Sequence, residues 1–370
     1  MNNVLFGNGL IIQYGGDAYT NASIIARARR KVRSGDFPRH LYPPECAAAL
    51  VAFHSEYASV VRGDYDDFTV ATFEREALSD FKRRYEGRPP VSVEQMGLED
   101  YFLLFELVYN RQGVGNPDRF HSRGCLRRML LDAVYNEGAI QHVHKRFPQG
   151  LVEFLRKQDR ILTTNYDRNL EVAADVDVVH LHGAFHVLGA EYDPDSIRHH
   201  LSEDLLDGEP LDPDYKHLFS SCIVSYVSAL KTYAMGQSHL ANQALTKFAA
   251  GYQTDPRLRQ KIEEWPETDQ LLRRLREAIK LKVQEPDLAH VEPYPRSAFE
   301  HLSGRLAIIG LSTRNDGHIF REIDENKKLS SVDFYFFDSR EASEAEALLP
   351  NHPVRPRDVR SFWDESETPR

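Results

Sequence analysis

The chain has 370 residues and a formal net charge of −10, with 28% charged and 41% hydrophobic residues. This length and composition are typical of a globular protein of one or two domains, and the negative charge disfavours direct nucleic-acid binding, which requires a basic surface. Apolar runs are far shorter than the roughly 20 residues that span a bilayer, and the N-terminus lacks a signal-peptide pattern. We therefore expect a cytoplasmic protein without membrane contact.

The N-terminal segment combines a short apolar run with a glycine turn. Val4-Leu5-Phe6 predicts a strand, which runs directly into Gly7-Asn8-Gly9. Glycines at such a turn let the backbone approach a phosphate or a ribose, although the same turn also occurs for packing alone. Helical spacing of apolar residues then predicts a helix from Asn21 to Val32.

Residues 36–149 have an almost wholly helical pattern, which we interpret as an insertion after the first strand. The predicted helices are Ala47–Val61, Phe73–Tyr85, Leu98–Tyr109 and Leu126–Val143. The third of these is the most apolar, and its hydrophobic residues are predicted to be core rather than a cofactor pocket.

The stretch from Ile161 to Phe185 follows a short helix and contains two apolar runs that end abruptly in polar residues. Ile161-Leu162 stops at the sequence TTNYD, and Val176–Val179 stops at His180-Leu181-His182-Gly183. Short strands joined by a short crossover predict a parallel α/β sheet, in which ligands bind beyond the carboxyl ends of the strands.

The second half of the chain repeats this alternation of helices and strands. We interpret residues 191–299 as a second helical insertion, including a long segment from Leu218 to Tyr252 and a charged helix at Glu267–Lys282, before a proline-containing linker. Strands are predicted at Arg305–Ile309 and Val332–Phe337. The prolines of residues 346–370 predict an irregular tail.

These elements predict an α/β fold with a Rossmann-like parallel sheet interrupted by large helical insertions. Residues 1–35, 150–190 and 300–345 would form one discontinuous dinucleotide-binding domain, with its ligand in a crevice at the strand ends. At that edge Asn165 can donate to and accept from ribose hydroxyls or water, Asp167 can accept hydrogen bonds, and His182 is a candidate general base.

Metal chemistry has little support in the sequence. His180, His182 and His186 allow a metal site, but the third ligand would have to come from elsewhere, with Asp316 or His318 as candidates. We therefore predict no metal, and a catalytic or a structural role for His182. Cys46, Cys125 and Cys222 form no CxxC pair, which excludes a four-cysteine zinc site and predicts three small buried residues without a disulfide framework.

Four segments together resemble the motifs of sirtuins. Thr163–Asp167 (TTNYD) is similar to their TQNID motif, Leu181-His182-Gly183 to their HG motif, and Phe6–Leu10 (FGNGL) lies where they have GAGIS. Gly310–Ile319 (GLSTRNDGHI) resembles the long GxSxxxDxHI form of sirtuin-like bacterial proteins. The motifs follow the sirtuin order and cover a small part of the chain.

The resemblance implies NAD as the substrate. Asn165 would position the nicotinamide ribose or the attacking water, and His182 would be the catalytic base. The first glycine loop would hold the pyrophosphate or its ribose, Asp167 the nicotinamide side and the late motif the adenosine half. The positions implied to contact NAD are Gly7, Asn8, Gly9, Thr164, Asp167, Gly183, Gly310, Ser312 and Asp316.

The chain departs from protein-deacylating sirtuins because it lacks the two CxxC pairs of their zinc module. It is therefore more similar to the sirtuin-like NAD hydrolases of bacterial anti-phage defence, which deplete NAD and release nicotinamide and ADP-ribose. A protein deacylase and a non-catalytic sensor of NAD or ADP-ribose are the alternatives. The resemblance also implies a homo-oligomer, or a separately encoded partner such as a hexameric motor ATPase of the HerA type.

Overall fold

Six strands form one parallel sheet in the computed structural model, which describes residues 1–69, 72–114, 118–187, 212–268, 270–284, 286 and 295–367. The strands are β1 (Asn2–Phe6), β2 (Arg160–Thr163), β3 (Val178–His180), β4 (Gly304–Ile309), β5 (Leu329–Phe336) and β6 (Val354–Asp358). Their order in the sheet is β3-β2-β1-β4-β5-β6, and every neighbouring pair is parallel. The predicted α/β fold with a Rossmann-like parallel sheet is confirmed.

The strand order reverses between β1 and β4, which are neighbours in the sheet although they are far apart in sequence. The chain runs from β1 to β2 on one side of the sheet and from β3 to β4 on the other, and ligands of doubly wound sheets bind beyond the strand ends at such a reversal. Helices cover both faces of the sheet. Alternate residues of β1 therefore lie in two different hydrophobic cores, Val4 and Phe6 in one and Leu5 in the other. Burial on both faces explains the continuous apolar runs of β1 and β4.

Fifteen α-helices are present in the described part of the chain. They are α1 (Gly9–Gly15), α2 (Asn21–Ser34), α3 (Glu45–Arg62), α4 (Thr72–Tyr85), α5 (Asp100–Gln112), α6 (Asp118–Tyr135), α7 (Gln149–Arg156), α8 (Asn169–Ala174), α9 (Ser228–Thr254), α10 (Pro256–Glu263), α11 (Gln270–Gln284), α12 (Arg296–Glu300), α13 (Gly317–Glu325), α14 (Ser339–Leu348) and α15 (Val359–Glu367). Helices α3–α6 lie between β1 and β2, and α9–α11 lie between β3 and β4, where the helical insertions are predicted. None of these helices is long and apolar enough to cross a membrane.

Two predicted helices differ from the structure. The one predicted at Leu126–Val143 ends at Tyr135 and continues as a 3₁₀ segment, because Asn136 and Glu137 adopt left-handed backbone conformations with φ of 52° and 55°. The segment predicted from Leu218 becomes α-helical only at Ser228. Residues 220–227 are not helical, and they form hydrogen bonds with the loop that follows β3.

The prediction of an irregular tail is wrong for residues 354–367, which form β6 and α15. Pro356 is compatible with β6 because this strand lies at the sheet edge. Proline has no N–H to donate, and at an edge the missing donor need not face a neighbouring strand. Helix α15 buries Phe362 and Trp363 against residues near the start of the chain. The Trp363 ring lies 5.7 Å from the Tyr14 ring, and the Phe362 ring lies 6.4 Å from the Phe6 ring.

We expect the Trp363→Ala substitution to lower the free energy of unfolding by about 3–5 kcal/mol, since it removes a large buried aromatic side chain. Trp363 is 6% exposed and packs edge-on against Tyr14. Phe337→Ala is the matched control, because Phe337 is 69% exposed, and its loss should stay below about 1 kcal/mol. Urea denaturation of the three proteins measures both values, and equal losses would contradict the role assigned to α15.

Some predicted features lie outside the described residues. They are the start of the second insertion up to residue 211, most of the linker Glu285–Pro295, and the last three residues of the tail.

Candidate functional site

The loops after β1 and β4 touch each other through glycine backbones. Gly7 N–H donates to Ile309 O and Gly9 N–H donates to Gly310 O, both at 2.9 Å. A Cβ atom on Gly7 would lie 2.6 Å from Leu311 Cα, and one on Gly9 would lie 2.6 Å from Gly310 Cα. Glycine is therefore required at both positions by the packing of the two loops, which meet where the strand order reverses.

Asn165 follows β2 and is fixed by three hydrogen bonds. Its N–H donates to Thr163 Oγ1 at 3.0 Å, and its side-chain Nδ2 donates to Gly7 O at 3.3 Å. His180 Nδ1 lies 2.8 Å from Asn165 O. Asn165 is 7% exposed, so its amide is held against the glycine loop of β1 in a defined orientation.

His180 supports this loop rather than a metal ion bound together with His182. While Nδ1 faces Asn165 O, Nε2 lies 2.8 Å from Glu171 Oε1. Burial lowers the pKa of His180, but the hydrogen bond and charge of Glu171, with the Asn165 carbonyl, outweigh it and raise the pKa overall. A charged imidazole that donates from both nitrogens has no lone pair for a metal. His186, the third histidine of the run, is exposed.

Asp167 is buried and serves the start of α8. Its Oδ1 accepts from the backbone N–H of Asn169 at 3.0 Å and from the Asn169 side chain. Within the part of the chain that the structure describes, Oδ2 has no hydrogen-bond partner. Burial raises the pKa of Asp167 to about 6, partly offset by its hydrogen bonds with Asn169.

The Asp167→Asn substitution tests this burial through the pH dependence of stability. A pKa raised from 3.8 to about 6 means that the folded state holds this proton more tightly than the unfolded chain does. Stability contributed by protonated Asp167 is thus present below pH 3.8 and lost as pH rises through about 6. Relative to the variant, the wild type should lose about 3 kcal/mol over this window, roughly 1 kcal/mol of it between pH 5 and 7.

Urea denaturation of both proteins at several pH values measures that difference. Asparagine keeps the Oδ1 acceptor for Asn169 and cannot ionise, so it is close to an isosteric control. A stability difference that stays constant between pH 5 and 7 would contradict a raised pKa for Asp167.

A second polar group, the buried His182 cluster, consists of His182, Asp316, His318, Lys231 and Glu99. His182 Nε2 lies 3.0 Å from His318 Nε2 and 3.7 Å from Asp316 Oδ1. Lys231 Nζ lies 3.4 Å from Asp316 Oδ1 and 2.6 Å from Glu99 Oε1. The cluster joins the loop after β3, the start of α13 and one residue from each insertion.

Charge and protonation in the His182 cluster follow from its burial. Burial lowers the pKa of both His182 and His318 well below the ordinary histidine value, and the Lys231 ammonium adds to the effect. Both imidazoles are therefore neutral near pH 7. Two Nε2 atoms 3.0 Å apart attract each other when one carries a proton and the other a lone pair, so one proton lies between them.

Three side chains of the His182 cluster could also hold a metal ion. The ligand atoms of His182, Asp316 and His318 all lie within 4.8 Å of one another, and neutral imidazoles with a carboxylate suit several divalent metals. The Lys231 ammonium already supplies positive charge to Asp316. A metal ion would have to bind beside this ammonium, which opposes it electrostatically.

Residues 220–225 form hydrogen bonds with the loop that carries His182. Ile223 N–H donates to His182 O at 2.8 Å, and Ala184 N–H donates to Ser221 Oγ at 3.2 Å. Gly183 has φ of 76°, and a Cβ there would lie 2.5 Å from the Ser221 carbonyl carbon. Gly183 is thus required by backbone conformation and close packing.

The predicted site residues fall into groups. Gly7, Gly9, Gly310 and Asn165 form one contact group, while His182 and Asp316 belong to the buried cluster. Asp167 pairs with Asn169 at the start of α8, and Gly183 packs against Ser221. The remaining three lie on the adjoining loops with other partners. Thr164 N–H donates to Phe6 O at 3.0 Å, exposed Asn8 donates to Tyr19 O at 3.2 Å, and Ser312 Oγ accepts from Arg314 N–H at 3.3 Å.

Glu99 and Lys231 were not predicted as site residues. Glu99 precedes an apolar helix and Lys231 lies in a long helical pattern, so each is typical of a solvated helix position. The sequence indicates His318 only as a candidate metal ligand, because no local spacing predicts that it pairs with His182. Nothing in the sequence predicts which residues of the insertions reach the strand ends.

Comparison with known proteins gives no match, whether to a protein-family model, a curated protein or a solved structure. The functional interpretation therefore depends on the residues and geometry of the site.

Proposed function

We propose that this protein hydrolyses NAD to nicotinamide and ADP-ribose. The observation that carries the proposal is the placement of Asn165 and His182 at adjoining strand ends, beside the reversal of strand order between β1 and β4. A crevice at that position is where dinucleotides bind in doubly wound sheets. The motif resemblance to sirtuin-like NAD hydrolases supports the same substrate.

The proposed reaction breaks the bond between the nicotinamide nitrogen and ribose C1′ through an oxocarbenium-like state. The bonding electrons leave with nicotinamide, whose ring nitrogen loses its positive charge, and a water oxygen bonds to C1′. One proton is released in total. Asn165 orients the ribose or the water, and neutral His182 accepts the proton. The Asp316 carboxylate, 3.7 Å from His182 Nε2, stabilises the imidazolium that forms.

A protein that depletes NAD is suited to act as an effector of anti-phage defence in the bacterial cytoplasm. Uncontrolled hydrolysis would be toxic, so assembly as a homo-oligomer or with a HerA-type motor ATPase is the proposed control. Hydrolysis by this route requires no metal.

Incubation of the purified protein with NAD, followed by chromatography of nicotinamide, tests the proposal. Release without an acylated peptide supports hydrolysis. Release that depends strictly on the peptide supports a deacylase, and binding measured by calorimetry without release supports a sensor. Either of the last two results contradicts NAD hydrolysis.

A further inference from the structure

One residue of the second insertion is hydrogen-bonded through its backbone to both loops that carry the proposed catalytic residues. Ile223 N–H donates to His182 O at 2.8 Å, and Ile223 O accepts from the hydroxyl of Tyr166. Tyr166 directly follows Asn165 in the loop after β2. The two loops also meet directly, since Phe185 N–H donates to Tyr166 O at 2.9 Å. Ile223 therefore links the loop of Asn165 to the loop of His182.

Helix α6 of the first insertion holds the segment around Ile223. The Arg127 guanidinium donates to Ser220 O at 2.7 Å and to Cys222 O, in the residue before Ile223, at 3.0 Å. Hydrogen bonds from a charged donor are roughly twice as strong as those between neutral groups. Ile223 itself is fully buried. The Tyr166 hydroxyl thus bonds to a carbonyl whose position depends on the packing of α6, outside the loop that carries Tyr166.

We propose that Tyr166 is a positioning residue, whose hydroxyl holds Asn165 at a fixed distance from His182 through Ile223. The inference rests on the proposed function, because it gives Tyr166 a part in the same reaction. Asn165 orients the ribose or the water while His182 accepts the proton, so their relative placement affects the rate, and a misplacement of about 1 Å can cost roughly 100-fold. The Tyr166 ring also packs edge-on against Phe185, with ring centroids 5.7 Å apart. That packing does not need the hydroxyl, so the two contributions can be separated.

The Tyr166→Phe substitution removes the hydroxyl and keeps the ring. We expect kcat for nicotinamide release to fall about 5- to 20-fold while KM for NAD stays within about twofold, because the alignment of Asn165 with His182 is lost and the contacts with the substrate are kept. A tyrosine with a merely structural role would lower stability and leave kcat per folded molecule unchanged. Steady-state rates with NAD measure both constants, and an unchanged kcat or a change in KM alone would overturn the proposal.

Tyr101→Phe is the matched control for Tyr166→Phe. The Tyr101 hydroxyl also donates to a backbone carbonyl, Val93 O at 2.6 Å, but both residues lie within the first insertion and neither contacts the two loops. Tyr101 is fully buried, so the loss of its hydroxyl should lower the thermal midpoint comparably while kcat stays at the wild-type value. An equal fall of kcat in the two variants would contradict the positioning role of Tyr166.

Hydrogen exchange tests the link without depending on catalysis. Deuterium uptake by peptides that cover residues 182–187 and 220–225 should be roughly fivefold faster in Tyr166→Phe protein than in the wild type, because the amides of Phe185 and Ile223 would open more often. Uptake in the Tyr101→Phe protein should equal that of the wild type at these residues. Equal uptake in all three proteins would refute the link. A wild type that releases no nicotinamide contradicts NAD hydrolysis, whereas the exchange result still decides whether Tyr166 holds the two loops together.

Discussion

Nicotinamide release by Asn165→Ala and His182→Ala proteins is expected to fall by at least about 100-fold, because a positioned general base and a positioned polar group each contribute about 10²–10³ to rate. His182 is neutral and can therefore accept a proton, and the Asp316 carboxylate 3.7 Å from its Nε2 would stabilise the imidazolium against the burial that lowers its pKa. Asn165 is fixed against the Gly7 carbonyl, so its amide needs no reorientation before reaction. Steady-state rates with NAD at saturating concentration measure both losses.

His186→Ala is the matched control for this prediction. His186 belongs to the same histidine run, but it is exposed, and its release rate should equal that of the wild type. Calorimetry of each variant with NAD separates lost turnover from lost binding. Full release by both the Asn165→Ala and His182→Ala proteins would refute the assignment of the catalytic residues.

The second large effect is expected on stability, from the Lys231→Met substitution. Lys231 is 1% exposed, and its ammonium lies between the carboxylates of Glu99 and Asp316. Removing one partner of a buried ion group costs about 3–5 kcal/mol, because the remaining charges are left uncompensated away from water. Burial raises the pKa of Glu99 even with Lys231 present, so this environment opposes a free carboxylate. Urea denaturation at pH 7 measures the loss.

Lys280→Met provides the matched control for Lys231→Met. Lys280 forms an ion pair with Glu263 at 2.8 Å, but both side chains are 41% exposed. An exposed pair contributes at most about 1 kcal/mol, so this variant should be nearly as stable as the wild type. Adding Glu99→Gln to Lys231→Met should recover part of the loss, since one uncompensated carboxylate is removed. Equal losses from the two lysine substitutions would refute the buried role of Lys231.

The sheet could be predicted because its strands carry their information locally. Val4-Leu5-Phe6 and Leu306–Ile309 are apolar on both faces, as buried parallel strands must be, and the structure confirms both strands. Asn165 and His182 could be predicted to share one edge, because the carboxyl ends of parallel strands lie together. Their hydrogen-bond partners could not, because partner choice depends on side-chain orientation in three dimensions.

Long-range contacts explain the features that sequence reasoning missed. Lys231 reaches Asp316 through packing of α9 against α13, and it meets Glu99, which precedes α5 in the other insertion. Neither contact has a spacing that local periodicity can reveal. For residues 354–367 the prolines favoured the prediction of an irregular tail, whereas the segment forms a short strand and an amphipathic helix. A proline is tolerated in this strand because it lies at the sheet edge.

The position of β1 has a consequence for how the chain is synthesised. β1 pairs with β2 through Val4 and Ile161, and with β4 through Val4 and Ala307, so its second neighbour emerges from the ribosome hundreds of residues later. Such long-range pairing folds slowly and leaves apolar strand edges exposed in the nascent chain. The His182 cluster also needs α13, so a ribosome-bound chain stalled before residue 304 should be protease-sensitive and lack a complete candidate site. Synthesis itself would then delay any NAD cleavage until nearly the whole sheet has emerged.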